Sequence, residues 1–169
     1  MIQAKYNRLD VLLNNAAIMS TNYALLTPLK TVQEILNTNI AGTFLLCREA
    51  GKLMQKNRFG RIVNFSSMSV SLKIEGEAVY AASKAAIITL SEILAKELAR
   101  FNITVNVIGP NLIETGIIAS LPKEKKQALI ERQAIHRLGE LKDIANVVDF
   151  FIKPESDFIT GQVIYLGGI

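Results

Sequence analysis

Apolar residues follow two rhythms along this chain. Short runs that are apolar almost throughout, and rich in Val and Ile, alternate with longer stretches in which apolar residues recur every three or four positions. The short runs are Leu9–Asn14, Arg61–Ser66, Ile103–Ile108 and Val163–Leu166. Continuous apolar character over four to six residues suits strands buried on both faces. The helical rhythm predicts a helix to about residue 37 that opens at Thr27-Pro28, a longer one over about 39–55, and one from Val79 to Arg100. That last stretch holds neither Gly nor Pro. A charged helix over 121–132 and a short amphipathic one over 144–152 complete the set. Strands alternating with helices imply an α/β fold, with a parallel sheet covered on both faces.

The densest chemistry lies where the second strand hands over to the helix from Val79. Ser67 stands at the strand's mouth, and Tyr80 and Lys84 are four residues apart on the helix. That spacing puts phenol and ammonium on one helix face, one turn apart. A phenol with a pKa near 10 is a poor acid or base at neutral pH. The expectation from spacing is that Lys84 favours the phenolate and lowers the pKa of Tyr80. A Ser67 hydroxyl can hold a carbonyl oxygen while Tyr80 gives or takes its proton.

Other candidates are weaker one by one. Asn14-Asn15-Ala16-Ala17 ends the first strand with small residues and side-chain amides, which let a ligand approach closely. Asn39 falls at the joint of the first two helices, where its side chain competes for backbone hydrogen bonds. Either it is an exposed residue, or it distorts the helix and organises a water near the Lys. Gly109-Pro110-Asn111 breaks the third strand, and Ile113 and Thr115 follow in the loop at its carboxyl end. The segment around Leu121–Arg132 reads either as a mobile basic flap or as an ordinary surface helix.

Composition narrows the classes. Half of the 169 residues are apolar, so disorder is excluded, and the length fits one domain spanning 1–169. The net charge of +4 is scattered apart from Lys123, Lys125 and Lys126, which argues against nucleic acid. One Cys permits no internal disulfide, and one His (His136) with no Cys/His/carboxylate cluster argues against a metal site. No apolar segment reads as a membrane span and the first residues do not read as a signal peptide, so a cytoplasmic location is expected.

Taken in order, Asn14-Asn15-Ala16-Ala17, Asn39, Ser67, Tyr80-x-x-x-Lys84, Pro110-Asn111-Leu112-Ile113-Glu114-Thr115, Arg137-x-Gly139 and Thr160-Gly161-Gln162 closely resemble the short-chain dehydrogenase/reductase family. The match is nearest to its 3-oxoacyl-acyl-carrier-protein reductase-like members and covers the whole chain. The resemblance implies an NAD(P)-dependent oxidoreductase acting on a carbonyl or alcohol, with a small-molecule or acyl-carrier substrate. It implies that Tyr80 is the proton donor in reduction, that Lys84 lowers its pKa and binds the nicotinamide ribose, and that Ser67 orients the carbonyl. Asn39 would hold the water of a proton relay. Asn15 and Ala16 would line the cofactor on its adenine-ribose side, and Ile113 and Thr115 would meet the nicotinamide carboxamide.

The sequence departs from the family pattern at Val70, Asn111 and Ala17, each in place of the usual Gly. A larger departure is that the Gly-rich turn T-G-x-x-x-G-I-G, whose helix N-terminus binds the pyrophosphate, appears nowhere in the 169 residues. The resemblance begins at the family's fourth strand, so roughly 75 residues of the pattern have no counterpart. The expected fold is therefore a partial Rossmann-like, doubly wound sheet of about four strands, with the first strand left at an edge. Two readings of function follow. One is a reductase that needs a complementing amino-terminal half. The other is a non-catalytic module that oligomerises, as a homodimer or homotetramer, through its two long helices.

Overall fold

The computed structural model describes residues 5–113 and 123–168. Four parallel strands form one sheet in the order β1 (Val11–Asn14), β2 (Gly60–Phe65), β3 (Ile103–Gly109), β4 (Val163–Tyr165). Arg61 pairs with Val11 on one side and Thr104 on the other, and Val107 pairs with Val163. Every residue of β2 and β3 is buried, which is why these runs are apolar without alternation. β1 is an edge strand pairing with β2 alone among the described residues, and Leu13 on it is exposed.

Helices cover both faces. On one face α2 (Thr43–Asn57) and α4 (Ala78–Leu98) bury Cys47, Ala50, Met54, Leu94 and Ala95 against Ile62, Ile103 and Val105. On the other, α6 (Leu141–Ile152) lays Val147 and Phe151 over Val63, Phe65 and Ile108. A helical stretch from α1 (Leu29–Leu36) runs into α2, a one-turn helix α3 (Ser69–Leu72) follows β2, and α5 (Lys123–Ile130) precedes α6. The sheet is thus the partial Rossmann-like α/β architecture that the hydrophobic pattern and the resemblance imply.

Three details differ from the expectations. Helix α1 starts one residue late: Pro28 is extended and caps it, and the Thr27 hydroxyl turns back to the Tyr23 carbonyl. The two helices expected at 28–37 and 39–55 are one continuous run, joined by a π-helical turn over Asn37–Gly42. The backbone absorbs the strain of a buried Asn by widening the helix there, instead of breaking it. Finally, the helix Ala78–Phe101 is long and apolar enough to cross a membrane by length and composition, contrary to the expectation that no segment would be. Its apolar character has a local cause, because it packs along β3 and buries Ile87, Leu94 and Ala95. The expected flap falls partly on residues 114–122, outside the described residues; its remainder, Lys123–Ile130, is helical.

Candidate active site

The carboxyl ends of β1, β2 and β3 carry the chemistry, as they do in open parallel sheets generally. Beyond β2 the chain is pinned in three places. The Ser66 N–H donates to the Ile108 carbonyl at 2.8 Å, the Ser66 hydroxyl to the Lys84 carbonyl at 3.0 Å, and the Met68 N–H to the Pro110 carbonyl at 3.0 Å. These bonds fix Ser67 in space. Its half-buried hydroxyl accepts the Ser69 N–H at 3.2 Å and lies 3.1 Å from the Ser69 hydroxyl. Ser67 bears on the Tyr80 phenol in the sense of lowering its pKa.

Lys84 shares the face of α4 with Tyr80, but its ammonium goes elsewhere. Nζ donates to the Phe65 carbonyl at 2.8 Å and lies 5.9 Å from the centroid of the Tyr80 ring. Lys84 is 5% exposed, and burial pulls its pKa down to about 8. Burial also pushes the Tyr80 pKa up; the Ser67 hydrogen bond acts against this rise and the nearby Glu77 carboxylate adds to it. The expected electrostatics are thus corrected. The phenol is shifted upward, because one dry environment penalises phenolate and ammonium separately, and Nζ is bonded to backbone.

Asn39 is buried, not exposed. In the π-helical turn its Oδ1 accepts the Ile18 N–H at 2.9 Å, while Nδ2 donates to the Ile18 carbonyl at 2.9 Å and the Ser83 hydroxyl at 3.0 Å. Ser83 in turn donates to the Tyr80 carbonyl at 2.7 Å. The Asn39 side chain therefore ties the loop after β1 to the helix turn that carries Tyr80. Its carbonyl accepts the Thr43 hydroxyl at 2.8 Å.

Below this layer lies a polar ladder that the sequence did not reveal. Asn14 Nδ2 donates to Asn64 Oδ1 at 2.8 Å and to Cys47 Sγ at 3.2 Å; Asn64 Nδ2 donates to the Ser91 hydroxyl at 2.9 Å. Two strands and two helices are locked together beneath the site. The partners are 17 to 50 residues apart, so no local spacing signals them. Burial pushes the Cys47 thiol up to about 11.

The cofactor candidates divide. Asn15 and Ala16 are exposed just beyond β1. Ile113 is buried and bridges to Gly139, whose N–H donates to the Leu112 carbonyl at 2.8 Å. Thr115 lies outside the described residues. Asn111 Oδ1 accepts the Leu112 N–H, but its Nδ2 is a buried donor with no partner among the described residues. It lines a cavity of about 120 Å³ with Ile113, Gln133 and Gly167. Neither Tyr80 nor Ser67 lines that cavity.

Glu77, the residue before α4, is buried, and the sequence did not mark it.

Comparison with known proteins comes to the same place. Residues 1–168 match the family model described as Enoyl-(Acyl carrier protein) reductase. The 3-oxoacyl-acyl-carrier-protein reductase FabG of Escherichia coli (strain K12) is 34% identical over 167 residues, covering 99% of this chain and 68% of that protein. The FabG of Aquifex aeolicus is 39% identical over 160 residues, 95% of this chain and 64% of its own. The FabG of Thermotoga maritima is 39% identical over 166 residues, 97% and 67%. The chain thus spans about two thirds of the length of the curated relatives it matches.

Proposed function

The chain belongs to the short-chain dehydrogenase/reductase family, and from that premise we propose that it is the catalytic portion of an NAD(P)-dependent reductase of 3-oxoacyl-type carbonyls. The observation that carries this is Tyr80 and Lys84 on one face of α4 at the carboxyl end of β2, with Nζ 5.9 Å from the Tyr80 ring centroid and bonded to the Phe65 carbonyl. The FabG relatives are 3-oxoacyl-acyl-carrier-protein reductases, so the substrate class here is an acyl chain with a ketone, free or thioester-linked.

The residues present fit one end of a dinucleotide. The orphan amide Nδ2 of Asn111 beside Ile113 suits a carboxamide carbonyl, and Tyr80 and Lys84 supply the donors that a ribose requires. Asn15 and Ala16 would flank the adenine-ribose side. The 169 residues hold no Gly-rich turn, so the pyrophosphate cradle falls to a complementing segment. When bound, the nicotinamide supplies or accepts hydride. The chain's own residues do the rest. Ser67 holds the carbonyl oxygen. Tyr80 passes its proton to that oxygen as the alcohol forms, and the phenolate left behind is reprotonated from solvent. Lys84 and Asn39 brace the end of β2 and the helix turn, which keeps Tyr80 placed to reach the carbonyl oxygen.

The assay is NADPH or NADH oxidation with an acetoacetyl thioester, in the presence of the complementing segment. Tyr80→Phe should lower turnover by about a hundredfold or more while weakening cofactor binding by calorimetry by no more than about tenfold, the worth of one neutral hydrogen bond. Equal turnover in wild type and Tyr80→Phe overturns the assignment.

A second reading has its own observation. Phe44, Leu45 and Leu46 on α2 and Ile93 on α4 are all exposed. These helices are the pair expected to meet a partner, and they would make the chain an assembly module, as homodimer or homotetramer. A monomer by light scattering at high concentration would remove that reading.

A further inference from the structure

The cavity of about 120 Å³ at the carboxyl ends of β3 and β4 is lined by two side-chain amides of opposite orientation. Asn111 stands where the family pattern has Gly. The Leu112 N–H occupies its Oδ1 at 3.0 Å, which orients the amide and leaves Nδ2 a buried donor with no partner among the described residues. Gln133 is 3% exposed. Its Nε2 donates to the Arg137 carbonyl at 3.1 Å, which leaves Oε1 an acceptor with no donor on it among the described residues. The Ile135 N–H donates to the Gly167 carbonyl at 3.0 Å and fastens the Gln133 loop to the end of β4. A Cβ on Gly167 would stand 3.4 Å from Asn111 Nδ2 and 3.0 Å from Gln133 Oε1. Donor and acceptor therefore flank one spot, and a glycine keeps it open. Arg137 and Asp143 also line the cavity, but they close on each other in a two-pronged ion pair at 2.7 and 2.9 Å, so their charges cancel there.

We propose that this cavity is a binding site for a neutral primary amide, whose carbonyl accepts from Asn111 Nδ2 and whose NH2 donates to Gln133 Oε1. A buried donor and a buried acceptor without partners each carry a desolvation cost that a matching ligand removes. Water fits the space too, about four molecules of it. A ligand gains over water only by reproducing both hydrogen bonds while its carbon atoms meet the apolar walls at Ile113 and Ile135. A primary amide does this with one planar group. A carboxylate of the same shape has no hydrogen for Gln133, and it brings a charge that the closed Arg137–Asp143 pair does not offset. An ammonium has no acceptor for Asn111. The volume admits about four or five heavy atoms, so the ligand is a small amide or the amide end of a longer molecule. The site holds with or without the reductase reading. That reading supplies one source of the amide, the carboxamide of the cofactor, and a free aliphatic amide is the other.

The test uses the chain as it is. The isotope-labelled protein is titrated with propionamide, sodium propionate and nicotinamide mononucleotide, and the side-chain NH2 resonances of Asn111 and Gln133 are followed by NMR. Asn111→Gly and Gln133→Met assign those resonances and remove the donor and the acceptor in turn. Propionamide should move both resonances with half-saturation in the millimolar range, and each variant should bind it about tenfold more weakly, the worth of one hydrogen bond. Propionate should bind the wild type at least about tenfold more weakly than propionamide. Movement of the same two resonances by the mononucleotide identifies the cofactor as the source. Movement by propionamide alone identifies a free amide, keeps the site and removes Asn111 from the cofactor reading. Equal responses to propionamide and propionate, or unmoved resonances with both amides, overturn the proposal. The wild-type comparison of amide with carboxylate decides even where a variant does not fold.

Discussion

Lys84→Met offers the sharpest test of the site's electrostatics. Methionine is nearly the length of lysine and carries no charge, so the variant removes the buried ammonium while roughly filling its space. The Lys84 pKa is drawn down by burial from 10.5 to about 8. In the unfolded chain the amine holds its proton to higher pH than in the folded one. Between about pH 8 and 10.5 the unfolded state therefore binds more protons, and stability rises with pH across that window. A shift of about 2.5 units corresponds to roughly 3 kcal/mol, fully felt at pH 7 and below. About 1 kcal/mol of it should disappear between pH 7 and 9, and most of the rest by pH 10.5. Against this, the variant loses the hydrogen bond to the Phe65 carbonyl, about 1–3 kcal/mol, at every pH where the ammonium exists. The assay is urea unfolding of wild type and variant at pH 7, 8, 9 and 10. The stability difference, variant minus wild type, should fall with pH by about 1 kcal/mol from pH 7 to 9. Both proteins contain Cys47 and Tyr80, so the alkaline titrations of those groups cancel in the difference. A difference that stays flat with pH would mean that the Lys84 ammonium is solvated when folded, and the reasoning about this face would fail with it.

Three further outcomes follow from the same contacts. Cys47, pushed up to about 11 by burial, should not react with a disulfide reagent at pH 8 in the folded protein and should react stoichiometrically in urea; prompt labelling of folded protein would contradict the packing around it. Asn64→Ala should cost about 2–4 kcal/mol in urea unfolding, because it removes a fully buried side chain and takes one hydrogen-bond partner from each of the buried Asn14 amide and Ser91 hydroxyl; a cost below about 1 kcal/mol would show the ladder to be idle. Asn39→Ala should release the loop after β1, seen as much faster hydrogen exchange at the Ile18 amide with little change in β2 and β3 amides; uniform change across the sheet would mean that Asn39 is only part of the core.

The parts of this molecule legible in the sequence are those that local chemistry dictates. β2 and β3 read as strands because burial on both faces demands unbroken apolar runs, and α4 reads as a helix because 21 residues pass without Gly or Pro. The shared face of Tyr80 and Lys84 was legible for the same reason, since helical spacing fixes the face. The π-helical turn was not. Asn37-Thr38-Asn39-Ile40-Ala41-Gly42 looks like a joint, and only the long-range demand of Ile18 and Ser83 for partners keeps it helical and buries Asn39. The Asn14–Asn64–Ser91 ladder is equally silent, because its members come from separate elements.

The direction of Lys84 shows where spacing stops being informative. A four-residue interval fixes where the Cα–Cβ bond points, but four more rotatable bonds lie between Cβ and the ammonium. The nearest strong acceptor decides the rest, and here it is the carbonyl that closes β2. The same burial that brings Nζ to this carbonyl also raises the cost of a phenolate on Tyr80. A lysine one turn away is therefore not by itself an activator. For Lys84 to ease the departure of the Tyr80 proton, its ammonium must exchange a backbone acceptor for the forming phenolate. That exchange is nearly balanced while the phenol is neutral and becomes favourable once negative charge appears there, because a charge-assisted bond in a dry site is the stronger one. The stabilisation would then fall on the transferring proton and not on the resting enzyme, with burial keeping the resting phenol in its protonated form.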